Sequence, residues 1–453
     1  MSENPFLALD EQPMRAFHWK TMLTTGLGVF CDGYDISAIT LVLGLTLQSY
    51  HAGKVASVAG GELASAAVIG SMFGALIFGA LGQKGRKRFY GFDVLVLGVA
   101  ALAQAFMPNL LSLIVCRFIL GIGVGGDYVL SPMIMGEHAN RKDRGKALGL
   151  GFGAMWPLGA LAAAVFELLL TSFHVRSDLV WRLVLAGGTV PALGVMYFRR
   201  TMPETARFLA RVAQDKAQAE AVTQEVSGVT VTAASAVDRR PLRQVFAAHA
   251  RHIFAAALLW LVYDLMVYAG VLFGPGLIAE SLGIQPAVYS IMTELIFILP
   301  ATVLMAWFLI DRAGRKPMQV WGFFASAGVL ALFAVLRSTP GSSALVAYLV
   351  VGLFNVTQQG PGLVSGSGIY GVELSPTSIR SLAQGITVIG GRLGASISTF
   401  AFPVMVGTVG LVGSMWTLAG IAVVGGILSQ LLVPETGSRS LEDINAESFA
   451  AIS

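Results

Sequence analysis

Charge is what this sequence has least of. Lys, Arg, Asp and Glu make up 12% of its 453 residues, against about 25% in an ordinary soluble domain. Only two cysteines occur, Cys31 and Cys116, both inside apolar runs, so neither a disulfide framework nor a thiolate metal centre is expected. The six histidines fall in loops or at helix ends, which removes a histidine site buried in a bilayer. There is no nucleotide-binding loop and no nucleophile–base constellation, which argues against an ATP-driven pump and against an enzyme. Glu3, Asp10, Glu11, Arg15 and Lys20 interrupt the first 20 residues, so no cleavable signal peptide is expected. The net charge of +4 is small, and nucleic acid is not an expected partner.

What remains is apolar. Hydrophobic residues reach 55% and the mean hydropathy is +0.72, more apolar surface than one soluble core can hide. The bilayer must be the solvent for much of it. Apolar runs of spanning length, about 20 residues each, recur along the chain. They predict spans near 21–47, 63–82, 89–107, 110–133, 145–172, 180–198, 253–279, 288–310, 317–337, 342–371, 379–406 and 410–432. A lipid-facing backbone must satisfy its own hydrogen bonds, so the spans read as helices. The expected fold class is an all-α membrane protein of twelve transmembrane helices. Glycine runs such as Gly121 to Gly126 would break a soluble helix, but here they permit close helix packing.

Basic residues set the orientation. The even-numbered connections carry Lys84, Arg86, Lys87 and Arg88, then Arg141, Lys142, Arg144 and Lys146, then Arg312, Arg315 and Lys316, and finally Arg380. Lys54, Arg176 and Arg337 are nearly all that the opposite loops hold. Both termini are therefore expected on the cytoplasmic side of a cell membrane. Arg199 to Arg251 is the one long polar stretch between spans. It divides the chain into a six-helix half over 1–200, a cytoplasmic linker over 201–250 with room for short amphipathic helices, and a second half over 251–453.

An internal repeat supports those halves. Gly85-Arg86-Lys87 follows the second span and Gly314-Arg315-Lys316 the eighth; Pro203-Glu204-Thr205 follows the sixth and Pro434-Glu435-Thr436 the twelfth. The separations are 229 residues for Arg86 and Arg315 and 231 for Pro203 and Pro434. Six helices were duplicated, and transporters built this way bind solute near the midplane between repeats.

Ionisable groups inside a membrane are costly unless they face a cavity or a partner, so each is a candidate. Asp32 and Asp35 lie within the first span. In the fourth, Arg117 precedes Asp127 by about 15 Å of helical rise. Either Asp32 or Asp127 is a candidate structural partner for Arg117, with the other left to exchange protons. The seventh span carries Trp260, Asp264 and Tyr268 at i, i+4 and i+8, one polar stripe on an otherwise apolar cylinder. That pattern suits a cavity wall; packing aromatics with a bonded carboxylate would be the structural alternative. Arg392 stands roughly 18 Å of helix beyond Arg380, well inside the bilayer, and requires an anion, either a carboxylate or the solute. Asp311-Arg312-x-Gly314-Arg315-Lys316, with Arg86 and Arg380, reads as a set of inter-helix salt bridges gating the basic face. Asp93, Glu167 and Glu294 lie within spans without an evident partner. Glu137, Glu373 and Glu435 read as solvated helix-end carboxylates.

At these residues the chain resembles the major facilitator superfamily over essentially its whole length. The paired Gly-Arg-Lys loops and Pro-Glu-Thr turns carry that likeness. Within the superfamily it resembles the phosphate:proton symporters in Phe17-His18-Trp19-Lys20, Cys31 to Asp35, Gly121 to Tyr128, the Trp260/Asp264/Tyr268 spacing, Asp311 to Gln319, and Pro376 to Arg380. The resemblance implies that Tyr128, Trp260, Asp264 and Tyr268 touch solute and that Asp32, Asp127 and Asp264 handle protons. The chain departs from that pattern at Met155 (usually glutamine), Gly362 (asparagine), Arg392 (lysine) and Val129 (proline), and Gly82-Gln83-Lys84-Gly85 lacks its usual aspartate. The Asp32-Gly33-Tyr34-Asp35 run is also similar to aromatic-acid:proton symporters. The expected function is proton-coupled symport of a small anion, phosphate first and an organic carboxylate as the rival, by a monomer with no cofactor beyond the coupling proton. A nutrient receptor on a transporter scaffold is the alternative of another class; the short termini and linker argue against it.

Overall fold

A lipid-facing chain with this many glycines has one structural option, and it takes it. In the computed structural model, which describes residues 6–55, 57–229, 240–274, 279, 283–339 and 343–447, the regular structure is helical. The long helices are α1 (Ala16–Ser49), α2 (Val58–Leu81), α3 (Phe92–Gln104), α4 (Leu110–His138), α5 (Arg144–Ser172), α6 (Ser177–Arg199), α7 (Leu242–Phe273), α8 (Pro286–Ala313), α9 (Arg315–Ser338) and α10 (Ala344–Thr357). A last helical run, Arg380–Leu432, is broken at Gly410, whose φ of 70° separates α11 (380–409) from α12 (411–432). Nine of the described helices are long and apolar enough to cross a membrane. The other three of the twelve expected spans are α3 (13 residues), α10 (14 residues) and the division at Gly410. Large apolar side chains such as Leu76, Val99 and Leu111 stay exposed on the outer surface, as lipid contact requires.

The predicted and observed spans agree except at their ends. The seventh was expected to reach residue 279; it is helical to Phe273, and 275–278 lie outside the described residues. Residue 342, the expected start of the tenth, also lies outside them, and that span is interrupted rather than continuous. It runs through Gln359–Pro361 and a π-helical turn at Gly362–Gly366, turns at Gly368 (φ 70°) and resumes as Ile369–Glu373. Residues 230–239 of the expected linker are likewise outside; what is described includes the helix Lys216–Ser227.

Glycine sets how tightly the helices pack. In α4, an added Cβ at Gly121 would strike the Ala67 carbonyl and one at Gly125 the Ser71 carbonyl, both on α2. On its other face Gly123 meets the Asp93 carbonyl at the start of α3. In the second half Gly390 and Gly394 lay α11 against the carbonyls of Ala257 and Leu261 on α7. The two halves meet where α2 packs on α11 and α5 on α8.

Candidate functional site: a charged cavity between the halves

The close α7–α11 contact decides where Arg392 goes. Gly391 lies flat on the Trp260 indole, and the next side chain, Arg392, turns into the space between the halves. Tyr128, Trp260, Asp264, Tyr268 and Arg392, the five residues expected to touch solute, all line one cavity of about 190 Å³. Arg392 donates from Nη1 to the Tyr268 hydroxyl. Its Nη2 is 3.7 Å from Asp264 Oδ2, an ion pair too long for a hydrogen bond. Its guanidinium carbon is 4.3 Å from the centre of the Tyr128 ring and 5.7 Å from that of Trp260. Arg392 Nε, Trp260 Nε1 and Asp264 Oδ2 have no hydrogen-bond partner among the described residues. This is a cation held by aromatic faces and a loose counter-charge, with donors to spare for an anion.

The backbone helps to present these groups. Three π-helical turns, Gly149–Ala154, Glu294–Ile298 and Gly362–Gly366, each contribute residues to the cavity wall. Such bulges concentrate at functional sites because they re-aim side chains out of the regular helical stripe. Gly362 stands where a Cβ would come within 2.8 Å of the Tyr263 hydroxyl, which donates at 2.7 Å to Gln358 Oε1.

The other two predicted proton-handling residues are not on this wall. Asp127 pairs with Arg199 at the end of α6 and accepts from Ser131 Oγ at 2.5 Å. Arg199 also meets Asp93 at 2.8 Å and lies 3.9 Å from the centre of the Tyr90 ring. The expected pairing of Arg117 with Asp32 or Asp127 therefore requires correction. Arg117 donates to Gln104 at 2.9 Å and to the Asp35 carbonyl at 3.5 Å, because Arg199 already occupies Asp127 from the neighbouring helix. Both Asp32 carboxylate oxygens are buried with no hydrogen-bond partner among the described residues. Gly28, one turn earlier on the same helix, packs against the Arg199–Asp127 pair.

At the basic face the two repeated motifs lock together. Glu204 of the first Pro-Glu-Thr turn accepts from the backbone N–H of Lys87, and Glu435 of the second from those of Arg315 and Lys316. Each caps the helix that opens at its Gly-Arg-Lys loop, where the local positive charge of the N–H groups favours a carboxylate. The threonines of the same turns donate to two glutamates, Thr205 to Glu137 and Thr436 to Glu373. Those glutamates are fully buried, which corrects their reading as solvated helix ends; they are the centres of the network. Glu137 binds Arg86 of its own half at 3.1 Å and Arg380 of the other at 2.8 Å. Glu373 binds Arg315 of its own half at 3.2 Å and Arg144 of the other at 3.6 Å. Asp311 crosses the same seam, accepting from the N–H groups of Gly145 and Lys146 at 3.0 and 2.7 Å. Beneath these, Arg207 bridges Asp10 and Glu442 at 2.8 and 2.9 Å. Burial pushes the Glu442 carboxyl up, but the Arg207 guanidinium outweighs it and leaves the group below its usual range. The basic face is closed.

Sequence reasoning missed Arg199, read only as the start of the polar stretch between the halves, and undervalued Glu294, which lines the cavity. A signal for the buried glutamates was present: Glu137 precedes Arg144 by seven residues, and Glu373 precedes Arg380 by the same seven.

The model of the family described as "Sugar (and other) transporter" matches residues 21–447. The probable inorganic phosphate transporter 1-4 of Oryza sativa subsp. indica is 31% identical, over 97% of this chain and 94% of that protein. The probable inorganic phosphate transporter 1-6 of Arabidopsis thaliana is 28% identical, over 97% and 96%. Among solved structures, the proton:xylose symporter XylE bound to 6-bromo-6-deoxy-D-glucose superposes with a TM-score of 0.79 at 21% identity, covering 95% of this chain and 99% of that one. The inward-open conformation of XylE from E. coli gives 0.67 at 21% identity, over the same 95% and 99%. At that identity these structures speak for the fold. The chain belongs to the sugar (and other) transporter family, a membrane transporter with the twelve-helix architecture of the major facilitator superfamily.

Proposed function

We propose that this protein is a proton-coupled symporter of inorganic phosphate, working by alternating access in a cell membrane with its basic face and both termini in the cytoplasm. One observation carries the reading: Arg392 sits in the inter-half cavity against a carboxylate that it touches without a hydrogen bond. An incoming oxyanion takes the free guanidinium donors in bidentate fashion. Asp264 then faces like charge and is relieved by binding a proton, so anion and proton enter together. After the halves rock, both leave, and Arg392 returns to Asp264. Asp127 is tied to Arg199 and serves structure, whereas Asp32, unpartnered beside that pair, is the second proton carrier. The names of the relatives support phosphate as the anion.

Uptake into proteoliposomes tests this, with labelled phosphate beside labelled benzoate and succinate under an imposed proton gradient. Phosphate accumulation above the carboxylates is expected. Background phosphate uptake alongside robust carboxylate uptake would overturn the substrate.

A further inference from the structure

Arg392 and its partners occupy part of the cavity, and a second ionisable group lines the rest. Glu294 begins the π-helical turn of α8 and faces the same cavity. Its exposure is 7%, and its buried Oε2 has no hydrogen-bond partner among the described residues. Arg392 does not reach it: the contacts of the guanidinium are Tyr268, Asp264, Tyr128 and Trp260. The cavity thus has two poles, Arg392 with its loose counter-charge and, beyond the contacts of that guanidinium, the bare pole at Glu294, a carboxyl with no cation beside it among the described residues.

Size and charge both speak against a small oxyanion as the only occupant. At about 190 Å³ the space exceeds by roughly tenfold what one water needs. An oxyanion on Arg392 offers Glu294 only more negative charge. When the cavity closes and sheds water, an unpaired carboxylate inside the membrane becomes costly. A proton removes that cost, as at Asp264, and so does a cation carried by the solute, which alone makes Glu294 a binding group. Tyr263 and Gln358 on the cavity wall are bonded to one another.

We propose that Glu294 is a solute-binding residue of the bare pole, and that it makes the transporter a carrier of zwitterionic organophosphorus solutes, an ammonium on Glu294 and a phosphonate or phosphate group on Arg392. The proposal rests on the reading of Arg392 as the anion site and adds the other end of the solute.

The test is competition against labelled phosphate uptake in proteoliposomes, with thermal stabilisation of the detergent-solubilised protein as a transport-independent readout. The probes are aminomethyl-, 2-aminoethyl- and 3-aminopropylphosphonate, each beside the alkylphosphonate lacking the amine. At one chain length or more the amine should improve binding about tenfold, and Glu294→Gln should reduce that advantage to less than about twofold, read by thermal stabilisation. Equal binding of amine and alkyl forms at every length overturns the inference and leaves phosphate symport standing. So does an amine advantage that survives in Glu294→Gln. Tight aminophosphonate binding without phosphate transport has the opposite result: the inference stands and phosphate falls. No stabilisation by any probe or by phosphate overturns both. Loss of phosphate uptake in Glu294→Gln with normal melting shows that Glu294 serves the oxyanion itself, which also overturns the inference.

Discussion

Asp264 carries the coupling argument at the scale of single residues. It shares a helix stripe with Trp260 and Tyr268 and lies 3.7 Å from the Arg392 guanidinium. Asp264→Asn keeps the shape and hydrogen bonding of the protonated acid but cannot release a proton. It should therefore still exchange phosphate between equilibrated compartments and fail to accumulate it in response to a proton gradient. Asp264→Ala should lose binding as well. Normal proton-driven accumulation by Asp264→Asn would move the carrier role to Asp32. Arg392→Gln removes the charge that attracts the anion, so phosphate binding should fall about a hundredfold, while Arg392→Lys keeps the charge without the fork and should retain part of it. Unchanged affinity in Arg392→Gln would make that residue structural. These residues were legible because a charge in an apolar run is conspicuous. Arg199 was not, since a cation at a span's end reads as an ordinary flank until the fold folds it back onto Asp127 and Asp93. Glu294 was visible but had no partner in the sequence, and its Oε2 has no hydrogen-bond partner among the described residues; only the cavity gives it meaning.

Elements are held by glycine contacts that the sequence showed as a run without saying which faces they served. Gly121 and Gly125, four residues apart, seat α4 on α2, Gly123 turns toward α3, and Gly126 sits against both Phe78 of α2 and Asp93 of α3. The run thus serves two interfaces at once, and composition alone cannot divide it between them. Gly125→Val would drive its side chain into the Ser71 carbonyl and the Ala75 N–H. Overpacking of this kind costs about 1–3 kcal/mol, so the melting temperature in detergent should drop by several degrees. Gly194 makes an internal control, because a Cβ there meets nothing within 4 Å; Gly194→Ala should leave melting unchanged. Equal melting of Gly125→Val and the parent protein would contradict the close α2–α4 approach. Helix ends were the least readable part of the elements. The interruption of the tenth span at Gly368 and the π-helical turns depend on what the helix packs against, which no period in the sequence records.

For the whole molecule, the duplication was legible in the paired motifs, and the structure supplies their physical reason. Each Pro-Glu-Thr turn caps the helix of its Gly-Arg-Lys loop and bonds the buried glutamate of its half. Each glutamate then reaches one arginine of the opposite half, Arg380 from Glu137 and Arg144 from Glu373. These crossed bonds exist only while the basic face is closed. Opening that face hydrates the arginines and the carboxylates, so removing a carboxylate penalises the closed state alone. Breaking one partner of a buried ion pair costs about 3–5 kcal/mol, and even about 1.4 kcal/mol of differential cost moves a two-state equilibrium tenfold. Glu137→Gln and Glu373→Gln should each open the basic face, and the pseudo-symmetry predicts shifts of similar size. Ala306→Cys reports on it, because Ala306 is buried against Gly149 beneath the cavity. Ser37→Cys reports on the cavity side. With Cys31 and Cys116 replaced by serine, either glutamine variant should label Ala306→Cys at least about tenfold faster and Ser37→Cys more slowly. Phosphate uptake should slow, since the state closed at the basic face becomes scarce. Unchanged labelling at both reporters in a variant that melts normally would show that the network stabilises the fold without governing access, and the gate would have to be sought at the α5–α8 seam instead.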